Sequence, residues 1–105
     1  MIFREMAIEM TEDEIRTAFY IVQPEGIFKR FEREEEFIRV WYSLPNDKNK
    51  TEHRLDLLPD DVYFINDDDE ADEMPLDNVN ALFTYRQLMI ARGYSFIWKG
   101  NPYII

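Results

Sequence analysis

The chain contains no cysteine, and only three of its 105 residues are glycine. The absence of cysteine excludes disulfides, thiolate metal sites and cysteine nucleophiles. Three glycines are too few to build a glycine-rich phosphate-binding loop, and neither the G-x-x-x-x-G-K motif nor the G-x-G-x-x-G motif is found. No apolar run approaches the roughly 18–20 residues that a membrane-spanning helix needs. With a single histidine, the chain also lacks the zinc-protease motif.

Basic side chains are also scarce. Lys and Arg number 12 against 22 Asp and Glu, which gives a formal net charge of −10. This charge repels nucleic acids and anionic membranes, so we expect neither as a direct partner. It favours basic proteins and divalent cations instead. A glutamate at position 5 stands where a signal peptide needs a basic and then an apolar stretch, so we expect a cytoplasmic protein.

The negative charge is concentrated in the middle of the sequence. Residues 45–77 carry 3 basic and 12 acidic side chains, whereas residues 78–105 carry 3 basic side chains and no acidic one. Between Arg54 and Arg86 there are ten acids and no base. Such asymmetry is the most unusual property of the chain and indicates where a charged partner would bind.

The composition is otherwise that of a folded domain. A length of 105 residues suits one domain, which we place at residues 1–105. Apolar residues make up 46% of the chain and aromatic residues 15%, which argues against intrinsic disorder despite the charge.

The first third of the chain predicts a helix with a clear start. Residues 2–10 fit both a helical stripe and a strand alternation, and we favour a short strand because a helix start follows. Thr11 and Glu14 have the spacing of a capping box. The next apolar residues fall on one helical face: Ile15, Ala18, Phe19 and Val22. The helix should end at residues 24–26, which are Pro-Glu-Gly.

Four strands are predicted next, at residues 27–31, 37–44, 52–58 and 62–65. Short loops join the last three, with a tight turn at Pro59 and Asp60, so they predict an antiparallel meander. Residues 66–73 are predicted to form an acidic loop.

A second helix is predicted from an N-cap at Asp77 to a stop at Gly93. Residues 94–98 alternate as a strand, and residues 103–105 should close against the core. Together these elements predict an α+β fold, with a single mixed, mainly antiparallel sheet of four to six strands and two helices packed on one face.

The acidic run is the first candidate site. Its six carboxylates could act as a solvated, mobile loop, as a protein-facing patch or as a metal site: Asp67, Asp68, Asp69, Glu70, Asp72 and Glu73. Carboxylate oxygens are the ligands that Ca²⁺ prefers, but the spacing does not match the EF-hand loop. We therefore favour an exposed loop without a bound ion, and predict no metal site.

Four further residues have unusual positions in the predicted elements. His53 shares a strand face with two leucines, which favours a structural role over a catalytic one, since only Ser43 and Asp56 would lie near it. Arg86 falls within the apolar arc of the second helix, where it must pair with an acid or face a partner. Trp41 and Trp98 either pack at the sheet edge or contribute to an exposed interaction surface.

These patterns favour a small, acidic, non-catalytic protein-binding module without a cofactor. The expected partner is a basic protein, and one specific form of the hypothesis is a nucleic-acid mimic whose carboxylates replace phosphates. Its contact residues would be the six carboxylates with Arg86, Trp41 and Trp98. The alternatives are a divalent-metal-dependent enzyme or sensor that uses the carboxylates of residues 67–73, and a homo-oligomeric structural protein. We expect a monomer or a weak homodimer.

Overall fold

A computed structural model of the chain describes residues 5–47, 52–74 and 78–94. In this part of the chain, three helices and five strands follow one another in the order α1, α2, β1 to β5, α3. The helices are α1 (Met6–Glu9), α2 (Glu12–Val22) and α3 (Val79–Ala91). The strands are β1 (Ile27–Arg33), β2 (Ile38–Ser43), β3 (His53–Leu57), β4 (Val62–Ile65) and β5 (Ala71–Glu73).

The five strands form one sheet in which the spatial order equals the chain order. All four neighbouring pairs are antiparallel, so the sheet is a simple meander. The predicted α+β class, the single sheet and the strand number are therefore confirmed. Among the described residues, no helix has both the length and the apolar composition needed to cross a membrane.

The helices bury one face of the sheet, which we call the covered face. On β2 it consists of Ile38, Val40 and Tyr42, all nearly inaccessible to solvent. On α2 the four apolar residues predicted to share a face are buried against it. The Phe19 ring packs against Phe28 and Tyr42, with ring centroids 5.7 and 5.2 Å away. This aromatic cluster joins α2 to the first two strands.

The start of α2 follows the predicted capping box. The Glu14 amide donates to Thr11 Oγ1 at 3.2 Å, and the Thr11 amide donates to Glu14 Oε1 at 3.0 Å. The chain turns after α2, and the Gly26 amide donates to the Gln23 carbonyl oxygen at 3.1 Å. A Cβ atom on Gly26 would lie 2.6 Å from the Phe19 ring, so the close approach of turn and core requires glycine here.

The segment before α2 differs from the strand that we preferred for residues 2–10. Within its described part, Met6–Glu9 is one turn of helix. A strand alternation would bury Ile8 together with Met6 and Met10, yet Ile8 is 67% exposed while Ala7 is buried. The Arg33 guanidinium donates to the Ala7 and Met10 carbonyl oxygens at 2.9 and 2.7 Å. This contact from β1 satisfies carbonyl groups that the short helix leaves free.

The end of α3 follows the prediction at Gly93, which has a φ of 77°. The Gly93 and Tyr94 amides donate to the Ile90 and Met89 carbonyl oxygens at 3.0 and 2.9 Å, the pattern of a Schellman cap. Tyr94 is buried but lies outside any strand. The predicted N-cap Asp77, the rest of the predicted strand 94–98, and residues 103–105 lie outside the described residues.

The middle of α3 is anchored by Tyr85, which is fully buried. Its hydroxyl donates to the Leu58 carbonyl oxygen just after β3 and lies 3.9 Å from the Met6 sulfur. This one side chain therefore ties α3 to the sheet and to α1. Burial raises the pKa of Tyr85 well above its usual value.

Candidate functional site

The sheet face opposite the helices, which we call the open face, carries two rows of side chains across the strands. The first row, from β1 to β5, is Arg30, Trp41, Arg54, Ile65 and Ala71. The second row is Glu32, Arg39, Asp56, Tyr63 and Glu73. Trp41 thus lies on the open face, as the strand pattern predicts, with an arginine opposite it on each neighbouring strand.

The Trp41 ring is stacked under one of these arginines. The Arg30 guanidinium carbon lies 3.9 Å from the ring centroid, within the range of a cation–π contact. Two carboxylates flank the guanidinium, Glu32 at 3.7 Å and Glu52 at 3.6 Å. Lys29 also approaches Glu52, at 3.6 Å. We call Arg30, Trp41, Glu32 and Glu52 the tryptophan cluster.

A bulge in β1 produces this arrangement. The pairing of β1 with β2 shifts register between Phe28 and Arg30, so Lys29 is an extra residue on the β1 side. Phe28 lies on the covered face, and without the shift a strict alternation would place Arg30 on that face too. The shift instead places Arg30 on the open face, directly opposite Trp41.

The arginine in the second row is held far more firmly. Arg39 donates from Nε and an Nη atom to the two oxygens of Asp56, at 2.7 and 2.9 Å. Asp56 is only 7% exposed although it lies on the open face. These hydrogen bonds raise the pKa of the Arg39 guanidinium, which burial opposes only in part. This bidentate pair crosses from β2 to β3 and fixes their registry.

The acidic run does not form the long loop that we predicted for residues 66–73. Ala71–Glu73 pairs with β4 as strand β5, and only residues 66–70 turn the chain. The Asp69 amide donates to the Asn66 carbonyl oxygen at 3.1 Å, and Asp69 has a φ of 62°. This combination is a β-turn followed by a left-handed residue, a common hairpin connection.

We call residues 66–73 the acidic hairpin; its turn consists of residues 66–70. The side chain of Asn66 organises this turn. Its side-chain oxygen accepts from the Asp68 and Glu70 amides, both at 2.9 Å. Its side-chain nitrogen donates to Asp72 at 3.2 Å. All six carboxylate residues are exposed, as we expected. Their backbone is held in a defined hairpin, however, because the neutral amide of Asn66 bonds twice within the turn and once to β5.

A base does lie beside the acidic hairpin, although the sequence places none between Arg54 and Arg86. The Arg54 guanidinium forms an ion pair with the Asp69 carboxylate. Arg54 also lies opposite Trp41 in the first row of the open face. The structure therefore brings together the acidic hairpin and Trp41, two parts of the predicted site that are far apart in the sequence.

Arg86 belongs to a different part of the molecule. Its Nε donates to the Asp60 carbonyl oxygen at 2.7 Å, and an Nη atom lies 3.8 Å from the Asp61 carboxylate. These partners lie in the turn between β3 and β4, at the opposite end of β4 from the acidic hairpin. Arg86 is thus paired with an acid beside the sheet and does not adjoin Trp41. Its role as a contact residue for a partner stays a prediction. Trp98 lies outside the described residues.

The apolar arc on which we placed Arg86 coincides only in part with the buried face of α3. Met89, at one edge of the arc, is buried together with Tyr85, whereas Phe83, also in the arc, is 62% exposed and Val79 is exposed as well. The helix has apolar residues on most of its circumference, so its sequence does not single out one face. The hydrogen bond from Tyr85 to Leu58 is the contact that orients it.

His53 lies where a structural histidine would. It is on the covered face beside Leu55, and its ring stacks on Tyr42 with centroids 5.5 Å apart. Its buried Nε2 atom lies 3.2 Å from the Asp47 carboxylate, without the geometry of a hydrogen bond. Asp56, which we considered as a catalytic partner, faces the other side of the sheet and is bound to Arg39.

Two of the residues that complete the site were missed by sequence reasoning, Arg30 and Arg54. The alternation of β3 places Arg54 on the open face, which the sequence could have shown. The position of Arg30 depends on the bulge, and no residue type in β1 predicts that bulge.

Known proteins add no constraint on the function of this site. No protein-family model, no curated protein and no solved structure matches the chain. Within the ranges that the structure describes, no three His, Cys, Asp or Glu side chains are grouped to hold a metal ion. The geometry of the open face and the acidic hairpin is therefore the basis for any functional proposal.

Proposed function

We propose that this chain is a non-catalytic binding module for a basic protein in the cytoplasm. The observation that carries the proposal is the acidic hairpin, which presents exposed carboxylates on an ordered turn and reaches the open face through the Asp69–Arg54 ion pair. A partner that approaches the hairpin would meet Trp41 and its neighbours on the same side of the sheet. Aromatic and arginine side chains are the groups enriched at the centres of protein interfaces.

The charge supports a partner of opposite sign. The net charge of −10 and the excess of acids in residues 45–77 create a field that accelerates encounter with a cation. An ordered hairpin adds a second advantage, since its backbone does not have to be fixed when the partner binds. Nucleic-acid mimicry is the specific form of this proposal, in which the partner is a DNA- or RNA-binding protein.

The first test neutralises the hairpin without touching its ion pair. In one variant Asp67→Asn, Asp68→Asn and Glu70→Gln are combined, while Asp69 is kept because it binds Arg54. The control variant combines Glu25→Gln, Glu35→Gln and Glu36→Gln, three exposed acids in other turns. Both variants change the net charge equally, so any difference between them reports the position of the charge.

The measurement is the association rate with a deca-arginine peptide at low salt. We expect the hairpin variant to associate several-fold more slowly than the control, with a smaller change in dissociation, because charge at a distance mainly steers encounter. Equal rates for the two variants would contradict the proposal. For the mimic form, duplex DNA should compete with this chain for a basic DNA-binding protein.

The same preparation tests the two alternative functions. A melting temperature that rises with millimolar Ca²⁺, Mg²⁺ or Mn²⁺ at fixed ionic strength would support a metal-dependent enzyme or sensor. A defined oligomer in light scattering would support a homo-oligomeric structural protein, whereas our proposal expects a monomer or a weak dimer.

A further inference from the structure

Arg30 occupies a position on the open face that an arginine from another protein could take. Its guanidinium lies over the Trp41 ring at 3.9 Å, with a carboxylate of Glu32 or Glu52 on either side. An aromatic ring and two carboxylates are the groups that bind a planar cation. The tryptophan cluster is thus a guanidinium-binding site that already contains a guanidinium.

The contacts of Arg30 are weak enough to be exchanged. Its two ion pairs, at 3.7 and 3.6 Å, are longer than hydrogen bonds, and its side chain is 51% exposed. Exposed ion pairs of this kind contribute little to stability. Arg39, on the neighbouring strand, has two hydrogen bonds shorter than 3 Å to a buried carboxylate. Of these two arginines, only Arg30 can leave its site without leaving a buried carboxylate unpaired.

When Arg30 rotates into solvent, the ring of Trp41 and the carboxylates of Glu32 and Glu52 lose the guanidinium between them. The pairing of β2 with both neighbouring strands holds the backbone of Trp41 without the Arg30 side chain, and Glu52 keeps its ion pair with Lys29 at 3.6 Å. The site that remains is anionic and aromatic. Because a guanidinium is planar and weakly hydrated, it stacks on such a ring better than the ammonium group of lysine does.

We propose that Trp41, Glu32 and Glu52 bind an arginine side chain of the basic partner, and that Arg30 occupies this site until the partner arrives. The proposal rests on the proposed function, since it names where that partner would insert. It specifies that the side chain of the partner that binds here is an arginine rather than a lysine. It also adds a form of regulation, because Arg30 competes with the partner for the ring.

The experiment compares two arginine variants that change the charge equally. Arg30→Ala removes the competitor from the tryptophan cluster. Arg16→Ala is the matched control, because Arg16 also stacks on a ring, Phe28 at 4.3 Å, and also pairs with an acid, Glu12 at 3.1 Å. Arg16 lies on α2, on the other side of the sheet from Trp41. Binding of deca-arginine and deca-lysine peptides is measured by calorimetry at one low salt concentration.

We expect Arg30→Ala to bind deca-arginine about two- to fivefold more tightly than Arg16→Ala does, which is the value of one exposed cation–π contact. Deca-lysine should show a smaller difference between the variants. Adding Trp41→Leu to Arg30→Ala should remove the gain. Should that double variant not fold, Glu32→Gln with Glu52→Gln in the Arg30→Ala background should reduce the gain instead.

Equal affinities of Arg30→Ala and Arg16→Ala for deca-arginine would overturn the exchange site. So would weaker binding by Arg30→Ala, which would mean that Arg30 itself contacts the partner. The failure of the proposed function is recognised separately. If neutralising the acidic hairpin has no effect while Arg30→Ala still gains affinity, the hairpin is not the binding surface and the exchange site stands.

Discussion

The covered face and the open face belong to the same five strands, but different interactions hold them. On the covered face, buried apolar residues from α1, α2 and α3 enclose the side chains of β2 and β3. On the open face, three arginines lie beside carboxylates, and only the Arg39–Asp56 pair is substantially buried. Burial of apolar area is the main source of stability, and exposed ion pairs add little. The covered face therefore contributes most of the stability, and on the open face only the exposed pairs can change their contacts at little cost.

The largest effect should come from the aromatic cluster of the covered face. Phe19→Ala removes a fully buried ring that contacts Phe28 and Tyr42, so we expect a loss of about 3–5 kcal/mol in the free energy of unfolding. Phe83→Ala is the control, because that ring is mostly exposed on α3 and should cost less than about 0.5 kcal/mol. Urea unfolding measures both. Similar losses would show that the two phenylalanines are buried alike.

The second prediction compares the stability contributed by two arginines of the open face, Arg39 and Arg30. Arg39→Ala leaves the buried carboxylate of Asp56 without its partner. Because Arg39 is itself partly exposed, we expect a loss of about 2–3 kcal/mol, the value of hydrogen bonds to a charged group. Arg30→Ala removes one exposed cation–π contact and two long ion pairs and should cost at most about 1 kcal/mol. Both are measured by urea unfolding at neutral pH. Equal costs would mean that Arg30 is fixed as firmly as Arg39.

The smallest effect concerns Tyr85 and should depend on pH. Tyr85→Phe loses the hydrogen bond to Leu58, which we expect to cost about 1 kcal/mol at pH 7. Burial raises the pKa of Tyr85, so the unfolded chain releases this proton at a lower pH than the folded protein. Stability that is present below about pH 10 is therefore lost as the pH rises further.

Because phenylalanine has no proton to release, Tyr85→Phe should lose less stability than the wild type above about pH 10. The gap between the two proteins should narrow there. Some alkaline loss should remain in the variant, since burial also raises the pKa of Tyr42. Urea unfolding at neutral and alkaline pH checks this, and a gap that stays constant would show that Tyr85 is not protected from solvent.

Local sequence patterns predicted the elements that depend on neighbouring residues. The capping box of Thr11 and Glu14 closes over three residues, and the cap at Gly93 needs only the last turn of α3. The alternation of β2 separates Val40 from Trp41 by the geometry of an extended chain alone. In each case the interacting groups lie within a few residues, so the pattern contains the information.

The mistaken predictions concern elements whose form depends on the elements they contact. Residues 6–9 fit helix and strand equally well, and the helical turn is the form that buries Ala7 and receives Arg33 from β1. Strand β5 is polar and short, and it forms because β4 offers it a pairing edge. The buried face of α3 is set by Tyr85 reaching Leu58. The contacts of Arg33 and Tyr85 join residues more than twenty positions apart, and the β4–β5 pairing, although local, has no alternating apolar pattern in β5 to indicate it.

The sequence by itself determined the α+β class, the meander of strands, the ends of α2 and the concentration of negative charge in residues 45–77. The tertiary structure alone decided which charged groups meet. Trp41 lies between Arg30 and Arg54, and Asp69 reaches Arg54, because the register of three strands and the bulge in β1 place them together. Register is a property of pairs of strands, and a shift of one residue moves every side chain to the other face, so the composition of each strand does not specify its neighbours.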